Sequence, residues 1–75
     1  MSKIVQPGIY QHYKGPQYEV LCVAKNSKTV EDMVVYRALY GDFQLWVRSL
    51  HEFLEEVEQD GIKQPRFKWL KPGDR

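Results

Sequence analysis

The stretch VVYRALYGDFQLWVRSL, residues 34–50, decides how this chain is read. Its first part sets β-branched and aromatic residues on both sides of an extended chain. Val34, Tyr36, Ala38 and Tyr40 share one face, Val35 and Leu39 the other. GDFQ then supplies a tight connection and LWVRS a further strand. Because both faces are apolar, a period of two leaves open which face of the 33–40 strand points inward. It also leaves Arg37 either paired with a carboxylate such as Glu19 or emerging at a surface, since a lone buried charge is prohibitive. Past the strand the period changes. Ser49 with Glu52 three residues on forms a capping box, and Leu50, Phe53, Leu54 and Val57 fall on one helical stripe. SLHEFLEEV therefore predicts a helix of two to three turns.

Upstream, GIYQHYKGPQYEVLCVAK reads as a hairpin, with strands over 9–13 and 17–25 and a break at KGPQ. NSKTVED is a polar loop in which Asn26 and Ser27 bond nearby backbone and turn the chain. Downstream, Asp60-Gly61 is a tight-turn signal, and PRFKWL is a last strand with Phe67 and Trp69 facing one way and Arg66 and Lys68 the other. The expected organisation is an N-terminal arm over 1–7, a single domain over 8–70 and a frayed tail over 71–75. The expected fold is mainly β: a small, strongly bent SH3-like barrel of four to five strands with one short helix. An open sheet crossed by a helix is the alternative.

With 75 residues and 43% hydrophobic content, the chain makes one small core. Such a chain buries only about 60% of the surface it exposes when unfolded. A net charge of +1 argues against duplex DNA as a partner, because phosphate contacts supply most of that affinity. Cys22 is the sole cysteine, so no internal disulfide forms. With no long apolar leader in MSKIVQPGIY, a reducing cytoplasm is the expected compartment. No apolar run approaches the roughly 20 residues of a membrane span.

The blocks GIYQHYKG, YEVL, VVYRALYG, LWVRS and PRF, in that order, resemble a short bacterial family known as domain of unknown function 1653. The resemblance runs from about Gly8 to Phe67. It rests on Gly8, Tyr10, His12, Tyr13, Lys14, Gly15, Tyr18, Glu19, Tyr36, Arg37, Tyr40, Gly41, Trp46, Arg48, Arg66 and Phe67. The chain departs from the family pattern at Ser49, where proline is usual, and at Asn26, where histidine is common. The resemblance implies the fold and assigns no activity.

Candidate chemistry is sparse. His12, His51 and Cys22 are scattered over different elements, so no metal or other cofactor is expected. Ser2, Ser27 and Ser49 lie outside any nucleophile elbow. A small hydrolase using His12 with a carboxylate is the third-ranked reading. The richer signal is arginine beside aromatic: Arg37 with Tyr36, Arg48 with Trp46, Arg66 with Phe67. A planar cation beside a ring face cradles a phosphate, a carboxylate or a nucleobase. The expectation is a binding module whose working face carries some of Tyr10, His12, Tyr36, Arg37, Trp46, Arg48 and Arg66. Its ligand would be a peptide, a nucleotide-like molecule or a single-stranded nucleic acid. The alternative from another class is an assembly subunit that homo-oligomerises through the same face.

Overall fold

A computed structural model describes residues 5–73. The opening stretch becomes β3 (Asp32–Ala38) and β4 (Leu45–Ser49), paired antiparallel with Tyr36 opposite Trp46 and Val34 opposite Arg48. The open question of parity is settled. Val34, Tyr36 and Ala38 are buried, Val34 with none of its surface exposed, while Val35 and Arg37 are half-buried on the opposite face. The even positions win because they line the side on which the helix packs.

The upstream hairpin is β1 (Gly8–His12) and β2 (Gln17–Lys25). The final strand is β7 (Phe67–Lys71), which returns to pair antiparallel with β1. The five strands form one sheet in the order β4-β3-β2-β1-β7. No pairing joins β4 to β7 among the described residues, so the closed ring of the expected SH3-like barrel is not found. The fold is mainly β, with seven strands in two antiparallel sheets and one short helix among the described residues.

The short helix α1 (Leu50–Phe53) is a single turn. Ser49 caps it as its sequence implies, its hydroxyl accepting from the Glu52 amide at 3.1 Å. The helix is shorter than its periodicity suggested because the chain turns at Leu54 and re-enters extended structure as β5 (Glu56–Gln59). Asp60 and Gly61 then take φ of 54° and 78°, the pair of left-handed residues that a type I′ turn requires, and β6 (Ile62–Pro65) closes a two-stranded hairpin. The turn was visible in the sequence. Its two flanking strands were hidden, because Val57 fits the helical stripe equally well.

The core is aromatic. Phe53 from the helix stacks on Phe67 from β7, with centroids 4.3 Å apart and planes within 3° of parallel. Tyr10 meets Phe53 edge-on at 5.3 Å. Val20, Val34 and Tyr36 complete the buried set, and Leu50, Leu54 and Tyr18 pack against it. Val5, assigned by the sequence to a flexible arm, is 6% exposed and belongs to this core. Pro7 and Gln6 also engage it, the Pro7 carbonyl accepting from the Trp69 indole and the Gln6 carbonyl from the Tyr10 hydroxyl. The rest of the expected arm and the end of the expected tail, 1–4 and 74–75, lie outside the described residues.

Cys22 sits in an apolar strand, where a lone thiol is expected to be a small core hydrophobe, yet it is exposed. The β2–β3 register shifts between Val20 and Cys22, which places Cys22 opposite Val35 on the outer face. A bulge of this kind changes which residues face inward beyond it.

Candidate functional site

Beyond the core, the inner face of the sheet opens into a recess of about 210 Å³ lined by Tyr18, Tyr36, Tyr40, Trp46 and Arg48. Strand pairing builds it. The register that sets Trp46 beside Tyr36 and Arg48 beside Val34 carries both β4 side chains onto the same face as the core. Tyr18, opposite Ala38 on the neighbouring strand, meets Tyr36 edge-on at 5.2 Å and Tyr40 at 5.7 Å. The Tyr18 and Tyr40 hydroxyls share a hydrogen bond of 3.0 Å. Burial, reinforced by that bond, pushes the Tyr18 phenol up to about 12, so this hydroxyl stays neutral at physiological pH.

Arg48 is the charge in this wall. Its guanidinium carbon lies 5.7 Å from the centroid of the Phe67 ring. The two salt bridges among the described residues, Lys25 with Asp32 and Arg66 with Glu55, leave it out. Its Nε is enclosed and has no hydrogen-bond partner among the described residues. A guanidinium without a carboxylate partner keeps N–H donors for an incoming anion. Trp46 beside it is 53% exposed and offers a ring face to solvent.

The other expected residues divide. Arg66 is neutralised: its Nη2 meets Glu55 Oε1 at 3.0 Å, and its amide donates to the Glu55 carbonyl at the same distance. His12 lines a second, larger cleft of about 440 Å³ with Gln11, Tyr13, Gly15, Gln64, Pro65 and Lys68. Its Nδ1 accepts from the Lys14 amide at 3.1 Å, so that nitrogen is unprotonated and the neutral ring carries its hydrogen on Nε2. Electrostatics agree. Burial first, then the charges of Arg66, Arg48 and Lys14, hold its pKa below the ordinary histidine value. Although larger, this cleft lacks an unneutralised guanidinium facing exposed rings, so the chemistry favours the smaller recess.

Like Arg66, two further expected residues line neither depression. Tyr10 is 7% exposed and gives its hydroxyl to the Gln6 carbonyl at 2.6 Å, which makes it a core ring. Arg37 stands on an odd position of β3 and so faces away from Arg48. Its Nη1 donates to the Phe43 carbonyl at 3.0 Å and holds the β3–β4 turn. Of the predicted face, Tyr36, Trp46 and Arg48 converge. Tyr18 and Tyr40 complete the recess and were missed as candidates. Their signal was present, since Tyr40 shares the even parity of Tyr36.

The Asn26 departure also has a structural account. Its side-chain carbonyl accepts from the Lys28 amide at 2.9 Å and the Thr29 amide at 3.2 Å, which folds the β2–β3 loop. Among the described residues no cluster of three His, Cys, Asp or Glu side chains converges as a metal site would require. No helix among them is long and apolar enough to cross a membrane.

Fold and recess together define a small two-sheet β domain with an aromatic pocket walled by an arginine that has no carboxylate partner among the described residues. The chain belongs to the family described as Protein of unknown function (DUF1653), whose model matches residues 8–69. It is similar to the crystal structure of a DUF1653 protein from Bordetella bronchiseptica. The two share 34% identity over 95% of this chain and 94% of the other, with a TM-score of 0.85. No curated protein matches the chain.

Proposed function

We propose that the domain is a binding module whose recess takes a nucleotide-like ligand, free or as one unit of a single strand. The observation that carries this is Arg48, a cation with no carboxylate partner among the described residues, set in a wall of Tyr18, Tyr36, Tyr40 and Trp46. Phosphate would meet the guanidinium fork, and a base would lie against the exposed face of Trp46. Of the Tyr18–Tyr40 hydroxyl pair, the one not donating within the pair offers its hydrogen to a base edge. The volume of about 210 Å³ suits one flat ring system and falls below that of a drug-sized site.

Base stacking of this kind contributes about 1–3 kcal/mol per base. Titration of the isotopically labelled protein with AMP, oligothymidylate and inorganic phosphate tests the proposal. The amides of 45–48 and the Trp46 indole should shift with AMP and oligothymidylate, and Arg48→Met should abolish the response. Shifts confined to the cleft around His12, or none at millimolar ligand, would overturn it.

A further inference from the structure

Among the described residues the sheet has two unpaired edges, and they are unlike. The β7 edge carries Lys68 and Lys71 and has an irregular register against β1, the features by which proteins blunt an exposed strand. The β4 edge carries neither lysine nor proline, and its register against β3 is unbroken. It is also apolar. Leu45, Trp46 and Val47 are 53%, 53% and 60% exposed.

Hydrogen-bond parity identifies the unpaired backbone. The Ala38 amide donates to the Gln44 carbonyl. By the alternation of an antiparallel ladder, Trp46 and Arg48 then exchange bonds with Tyr36 and Val34. Leu45, Val47 and Ser49 turn their amides and carbonyls away from β3.

We infer that this edge pairs with β4 of a second copy, antiparallel about a two-fold axis through Val47. In that register Val47 meets the partner's Val47 through outward-facing backbone groups, and Leu45 lies opposite the partner's Ser49, whose amide faces outward while its carbonyl serves the first turn of α1. On the inner face Trp46 meets the partner's Arg48, and the contact repeats symmetrically. Arg48 is an inward-pointing charge on an edge strand, ordinarily a device against pairing. Here it selects one register, because this pairing sets each guanidinium against an indole ring and most others set it against aliphatic or like-charged groups. The partner copy therefore adds a second arginine beside the recess. The inference rests on edge geometry and stands independently of the nucleotide proposal.

A charge exchange at the axis tests it. Wild-type protein, followed by light scattering from micromolar to millimolar, should double in mass. Val47→Lys and Val47→Glu each place like charges face to face and should weaken the dimer roughly tenfold or more. An equimolar mixture of the two should restore it. Val47 is exposed, so circular dichroism should show both variants folded. A wild type that stays monomeric throughout, or two variants that each dimerise as well as wild type, would overturn the inference. A folded monomeric variant that still binds AMP separates the failure of assembly from the failure of ligand binding.

Discussion

Arg48 and His12 are polar groups kept at a cost to stability, and each makes a distinct prediction. An arginine with an enclosed, unbonded Nε is held without its full set of partners, and such groups are often replaced by apolar residues at no loss. Arg48→Met should leave the melting temperature unchanged or raise it while removing AMP binding, a pairing that thermal melts and titration together check. For His12 the folded pKa lies below its unfolded value near 6.5. Below that pH the unfolded chain therefore binds more protons than the folded one, and stability falls as pH drops through the lowered folded value. His12→Gln should flatten the melting temperature between pH 7 and pH 5 relative to wild type. Tyr40→Phe removes a partner that raises the Tyr18 phenol, so ultraviolet titration should show that phenol ionising at lower pH than in wild type. Residue identity alone revealed which side chains carry chemistry, but not where they point. Arg37 and Arg48 look alike in sequence, each beside a ring, and only their parity against the core separates a turn-holding donor from a cation with no carboxylate partner among the described residues.

At the scale of elements, legibility followed the strength of the local signal. The strands 9–13, 17–25, 33–40 and 45–49 were readable because β-branched and aromatic residues cluster between Gly-Pro and Asp-containing breaks. The β5–β6 hairpin was not, because Glu55, Glu56 and Glu58 are good helix formers and Val57 completes a helical stripe. Long-range pairing overrides that preference: the Arg66 amide binds the Glu55 carbonyl and draws the segment into extended structure. The bulge at β2 was equally invisible, since one skipped residue leaves composition untouched while exposing Cys22. Gly8 gives the sharpest element-level prediction. It has φ of 142°, and an added Cβ would lie 2.5 Å from the Lys71 carbonyl oxygen and 2.7 Å from the Trp69 indole nitrogen. Gly8→Ala should force β1 and β7 apart, and urea denaturation should show a marked loss of stability. Gly61→Ala meets no neighbour within 4 Å and suffers only the left-handed backbone, so its loss should be smaller.

For the whole molecule, stability concentrates in one stack. Phe53 is 1% exposed and touches Tyr10, Tyr36 and Phe67. Phe53→Ala should cost about 3–5 kcal/mol, which is comparable to the total stability of a domain this small, and calorimetry should find it unfolded or nearly so at ambient temperature. The overall class, mainly β with one short helix, was legible because 75 residues with many large rings have few ways to bury them. Closure of the sheet was not, because it depends on whether two distant edges meet, and nothing local encodes that.

Phe67 arrives last along the chain, yet its ring contacts reach His12, Tyr18, Tyr36 and Phe53. During synthesis, then, the earlier strands hold an unfilled centre until the final one emerges and slots against β1. Folding of this domain is thereby deferred until β7 has been made, and a fragment stopped at Pro65 is expected to stay unstructured and sensitive to protease.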